Sequence, residues 1–248
     1  MRKEAFGVGD IVHVFNRGNR KQEIVRDDID RWRFLQTLFY FNDEYSPENP
    51  FRTLSDLLKS DFNKGRVLVW PNEWPEQNKL VNIIALTLME NHYHLVLQEI
   101  KEGGVAKFMH KFGTGITNRF NTRHKETGRL FQGAYKARRV GSDNYLKYLN
   151  VYMHIKNVFE LYPGGIQKAL SEFENAYQFA THYPYTSLGG YINNEPNTQA
   201  IISKEMLKDE FANEHEFKEF ARGCLEYLFF EESSGKFQFP VEIPSVEA

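Results

Sequence analysis

The stretch from Val81 to Gln98 constrains the fold more than any other part of the chain. Val81–Met89 is almost continuously apolar, as suits a central strand buried on both faces. His92–Gln98 alternates instead: His92, His94, Val96 and Gln98 point to one face, and Tyr93, Leu95 and Leu97 to the other. Glu90 and Asn91 between them suit a tight turn. The pattern is that of an antiparallel hairpin whose second strand carries two imidazoles on one face.

The flanking sequence supplies the other elements. Ile11–Phe15 reads as a strand followed by the basic turn Asn16-Arg17-Gly18-Asn19-Arg20. Asp27 or Asp28 caps a helix running to about Phe41. Residues 42–80 read as an insertion punctuated by prolines, with a short helix near Leu54–Leu58 and a strand at Arg66–Trp70. A helix over about Val105–Asn121 follows the Gly103-Gly104 break, then a short strand at Arg138–Val140, then a helix from an Asp143 cap through Asn157. Antiparallel strands with helices gathered on one face make an α+β fold, a ferredoxin-like antiparallel sheet. The expected core is 1–160, and 161–248 is expected to be an acidic, mostly helical C-terminal extension.

The chain has 248 residues and a net charge of −2, which by itself argues against a polyanionic partner. The charge is segregated, however. Residues 101–156 hold 12 basic and 3 acidic side chains, whereas 157–248 hold 6 basic and 15 acidic ones. Such asymmetry fits either a surface for nucleic acid or two halves that pair with each other. The single cysteine, Cys224, excludes an intrachain disulfide and a cysteine-based zinc site. No apolar run is long enough for a membrane span, and a cytoplasmic location is the expectation.

His92 and His94 are candidate metal ligands, because neutral imidazole nitrogen ligates cations. Two ligands do not make a site, and two histidines in this spacing also arise as core or surface residues. Tyr152 shares a helix face with Tyr145, Tyr148 and Leu149. Such a stripe packs a core, and beside a metal one tyrosine of it can also act as a nucleophile.

Four segments lie in an order that resembles a known family. They are Leu88-Met89-Glu90-Asn91-His92-Tyr93-His94-Leu95, Asn16-Arg17-Gly18-Asn19-Arg20, Gly128-Arg129-Leu130-Phe131-Gln132-Gly133 and Tyr152-Met153-His154-Ile155. Together they resemble the single-tyrosine HUH transposases, nearest the REP-associated branch. Pro184-Tyr185-Thr186-Ser187 is similar to that family's Pro-aromatic-Ser-Ser segment. The resemblance implies a ferredoxin-like core, His92 and His94 as ligands of Mg²⁺ or Mn²⁺, Tyr152 as nucleophile, and single-stranded or hairpin DNA as substrate. Family members act as monomers or homodimers.

One departure matters. The family places Asn or Gln, the third metal ligand, four residues after the tyrosine, and this chain has Lys156 there. An ammonium has donors only and cannot ligate a cation. Glu90, two residues before His92, is a candidate compensating oxygen ligand; otherwise it is an exposed turn carboxylate. DNA contacts are expected from Lys107, Lys111, Arg119 and Arg123 along one helix flank, from Arg129, Lys136, Arg138 and Arg139, and from Arg17 and Arg20. Two readings follow: a DNA-nicking and rejoining transposase, or a domesticated DNA-binding protein that keeps the fold without cutting.

Overall fold

A computed structural model describes residues 6–64 and 68–234. The core is β1 (Ile11–Arg17), α1 (Asp28–Tyr40), β2 (Val81–Leu88), β3 (His92–Glu99), α3 (Gly104–His124) and β4 (Lys136–Arg139), with α2 (Pro50–Lys64) in the insertion. The four strands form one antiparallel sheet in the order β2-β3-β1-β4. This is the ferredoxin-like arrangement expected from the strand pattern. Asp27 caps α1 by accepting from the Asp30 amide, as read from the sequence. Glu99 receives the Gly103 and Val105 amides at the start of α3, so a carboxylate sits at that helix's positive end.

The strand alternation sorts residues to two faces. Tyr93 packs against Phe34 of α1 and Phe112 of α3, so both helices lie on the face opposite the histidines. Gly115 of α3 is a point of close approach: a Cβ there would come within 2.2 Å of the Phe41 ring. The histidine face is covered by a second helical layer. It begins with α4 (Asp143–Val151) and continues through a π-helical turn, Tyr152–Lys156, into α5 (Asn157–Phe159). The helix cap is Ser142, whose Oγ accepts from the Tyr145 amide, rather than Asp143. Serine in the extended conformation one residue earlier takes the role, and Asp143 falls in the first turn.

Beyond α5 come α6 (Gly165–Ser171), α7 (Phe173–His182), α8 (Leu188–Ile192), α9 (Pro196–Ile201) and α10 (Glu214–Ser234). The segment before α8 closes the open edge of β2. Leu88 donates to the Tyr185 carbonyl, Ser187 donates to the Leu86 carbonyl, and Ser187 Oγ accepts from the Leu86 amide. A sheet edge covered this way cannot pair with another chain. Of the expected strand Arg66–Trp70, residues 66 and 67 lie outside the described residues and 68–70 form no strand. Leu68 is buried in the core, and Trp70 stacks on Tyr40 instead. Among the described residues, no helix is long and apolar enough to cross a membrane.

The buried Asn42 ties the insertion to the sheet. Its Oδ1 accepts from the Leu80 and Val81 amides, and its Nδ2 donates to the Val81 carbonyl. Asn42→Ala strands these groups and is expected to cost about 2–3 kcal/mol. A urea midpoint unchanged from wild type would show that water replaces the amide.

Candidate active site

The hairpin brings His92 and His94 together with their rings 5.4 Å apart and perpendicular. The register sets Arg17 opposite His92 and Phe15 opposite His94. His92, at the strand's start, is partly buried, and its Nδ1 bonds Asn91 Oδ1 at 2.7 Å. That bond leaves Nε2 as the free ring nitrogen. His94 is fully buried; its Nδ1 meets His13 Nε2 at 2.9 Å, and its Nε2 has no hydrogen-bond partner. Burial holds both imidazoles neutral. It lowers His92 to about 4, with Arg17 and Lys156 adding to the shift. His94 lies well below the ordinary histidine value, from burial first and then His13, His92 and Lys156. Two neutral imidazoles with Nε2 unengaged are a chemically fitting donor pair for a divalent cation.

Tyr152 reaches this pair from the other layer. Its ring stands edge-on to His94, 5.4 Å between centroids. It opens the π turn, and the Asn157 amide bonds its carbonyl five residues back. Such wide turns inside α-helices recur at functional sites. The turn is anchored from below: Thr87 Oγ1 donates to the Met153 carbonyl, and His154 Nε2 meets Ser187 Oγ at 2.7 Å. The Pro184–Ser187 segment thus fixes the β2 edge and the tyrosine turn together. Lys156 remains beside Tyr152 despite the wider turn, with Nζ 5.4 Å from the ring centroid and an ion pair to Glu160.

The other expected residues separate by their place in the fold. Lys136 and Arg138 pair with Phe15 and His13 in register, so both stand on the histidine face with Arg17. Arg139 alternates to the reverse face and pairs with Asp10 at 2.6 Å. Arg20 and Arg129 are exposed, Arg129 at a groove of about 640 Å³ that Tyr93, His110, Gly113 and Tyr135 also line. The flank of α3 is engaged by the chain's own acids and carbonyls. Lys107 pairs with Glu44, Lys111 bonds the Asp43 and Tyr45 carbonyls, and Arg123 bonds Asp27 and Asp30. The Arg123 guanidinium holds Asp27 at about 2. Arg119 stands beside Arg33. Glu90 is in the turn, 3.6 Å from Arg31, and is not brought to the histidines. Among the described residues, no third His, Cys, Asp or Glu joins His92 and His94 in a ligand cluster.

Sequence reasoning missed two contributors. Asn91 looked like a turn residue, yet it orients His92. His13 lies two residues before Phe15 and four before Arg17 in β1, and this alternation was the signal that it shares the histidine face.

Residues 70–156 match the family described as IS200-like transposases. A solved structure of a REP-associated tyrosine transposase bound to a REP hairpin overlays with a TM-score of 0.42 at 9% identity, covering 77% of this chain and 83% of that one. No curated protein matches the chain. The matched span runs from the end of the insertion through the histidine hairpin, α3 and β4 to Tyr152 and Lys156, and over it the chain is similar to the IS200-like transposases.

Proposed function

We propose that the chain is a single-stranded DNA endonuclease and strand transferase, with Tyr152 as nucleophile. The observation that carries this reading is the packing of Tyr152 on His94, 5.4 Å between rings, at a face ringed by Arg17, Lys136, Arg138 and Lys156. The four cations are suited to hold a backbone phosphate. Tyr152 Oη attacks phosphorus; the tyrosyl O–P bond forms as the P–O3′ bond breaks, and the released oxygen takes up a proton as a 3′ hydroxyl. Rejoining runs the same exchange backwards with an incoming 3′ hydroxyl. Mg²⁺ or Mn²⁺ bound through His92 and His94 Nε2 would supply charge neutralisation at the phosphate. Nitrogen donors favour Mn²⁺ of the two, since Mg²⁺ prefers oxygen.

A labelled single-stranded hairpin incubated with the protein and Mn²⁺ tests the reading. A covalent adduct mapping to Tyr152 is expected. A second reading, a non-cutting DNA-binding protein, is favoured by Lys156, whose ammonium occupies the position over the Tyr152 ring. Tight hairpin binding without an adduct, under several metals, selects that reading.

Lys156→Gln removes a charge that opposes cation binding and adds a carbonyl acceptor. Mn²⁺ is expected to bind on the order of tenfold more tightly. Calorimetry showing no change removes Lys156 from the cation's surroundings.

A further inference from the structure

His13 has no part in the reaction as described, yet it is fully buried against His94. The two rings lie within 16° of parallel, and their facing nitrogens are 2.9 Å apart. The outer nitrogens, His13 Nδ1 and His94 Nε2, are both buried without a hydrogen-bond partner. A pair placed for packing alone is poorly explained by this arrangement, because an aliphatic side chain fills the same space without stranding polar atoms. A 2.9 Å contact between two ring nitrogens is an N–H···N bond, so in a pair of neutral imidazoles one facing nitrogen carries the shared hydrogen and the other a lone pair.

This allows two arrangements. In one, His94 Nδ1–H donates to His13 Nε2, and His94 Nε2 carries a lone pair. In the other, His13 Nε2–H donates, and His94 Nε2 carries a hydrogen. Only the first can ligate a cation through Nε2. We propose that His13 is a positioning residue: as hydrogen-bond acceptor it fixes His94 in the Nδ1–H form and turns the Nε2 lone pair toward the site. Carboxylates and backbone carbonyls commonly play this part behind a metal-bound histidine; here a buried imidazole does. Asn91 acts in the same way on His92, through its side-chain oxygen on Nδ1. Both imidazoles are therefore held from behind by neutral partners, in keeping with a site whose surroundings are already cationic. The inference rests on the cation-binding reading of His92 and His94.

Ring-¹⁵N NMR of the cation-free protein reads the tautomer directly, and Mn²⁺ calorimetry reads its consequence. Wild type is expected to show His94 protonated at Nδ1 and bare at Nε2. His13→Phe keeps an aromatic ring beside Phe15 but removes the acceptor; it is expected to lose the single tautomer and weaken Mn²⁺ binding about 10–100-fold. His13→Gln, whose carbonyl oxygen can accept, is expected to recover most of that loss. A wild-type His94 with its proton on Nε2 overturns the proposal, as does a folded His13→Phe with unchanged Mn²⁺ affinity. Should His13→Phe not fold, the wild-type tautomer and the His13→Gln affinity decide. Wild type with the Nδ1–H form that binds no Mn²⁺ supports the positioning role and overturns the cation seat instead.

Discussion

Tyr152→Phe is expected to abolish the covalent DNA adduct and to lower strand cleavage by roughly 10⁴-fold or more, as removal of a nucleophile does elsewhere. The substitution deletes one oxygen and nothing else. The ring keeps its edge contact with His94 and its place under the Lys156 ammonium, so hairpin binding is expected to stay near wild type. This separation of effects makes the experiment decisive. Equal cleavage by the two proteins would falsify the nucleophile assignment. Loss of binding together with cleavage would mean that the hydroxyl holds DNA rather than attacks it. The partner substitution His94→Ala is less informative, because it also empties a fully buried position and leaves His13 Nε2 without its hydrogen bond.

The sheet was legible in the sequence because its rules are local. Alternation at His92–Gln98 placed both histidines on one face, and residue type narrowed the α1 cap to Asp27 or Asp28. The Tyr152 helix was legible only in outline. Its cap is Ser142, and its middle widens to a π turn that Thr87, His154 and Ser187 hold in place through contacts far apart in sequence. The pairing of the basic flank of α3 was not legible for a related reason. Spacing put Lys107, Lys111 and Arg123 on one side of a helix but said nothing of the acids facing them. Asp27, Asp30 and Glu44 come from α1 and the loop after it, and only tertiary structure supplies those pairs. The cations that do reach the site, Lys136 and Arg138, sit on a four-residue edge strand, where pairing with β1 decides which side chains share the histidine face. Lys156 was legible as a departure, and its ion pair with Glu160 was not.

The same buried histidines make the fold sensitive to mild acid. His13, His94 and His154 are fully buried and His92 partly so, and burial is the largest cause of depression for each; His13 and His154 fall to about 3 and His92 to about 4 from 6.5. A depressed folded value means that the unfolded chain binds protons first. Stability is therefore fully present above pH 6.5 and is lost as pH falls toward the folded values. Each group contributes about 1.4 kcal/mol per pH unit in that window, so four contribute roughly 5–6 kcal/mol per unit. From pH 6.5 to 5 the loss is roughly 6 kcal/mol, comparable to the whole stability of many domains. Asp27, held low by Arg123, adds to acid loss only below the ordinary carboxylate range, so it does not shape this window. Glu210, raised by burial, works in the opposite sense but is a single group. Urea unfolding measured between pH 7 and 5 should thus show a slope approaching four protons. His154 allows that slope to be divided, because its contacts are a hydroxyl and an aromatic ring, Ser187 and Phe211, and it lies apart from the His13–His94 pair. His154→Gln can keep the bond to Ser187 Oγ and cannot titrate, so the slope is expected to drop by about one quarter. An unchanged slope would mean that His154 is protonated in the folded chain, against the burial that the structure gives it.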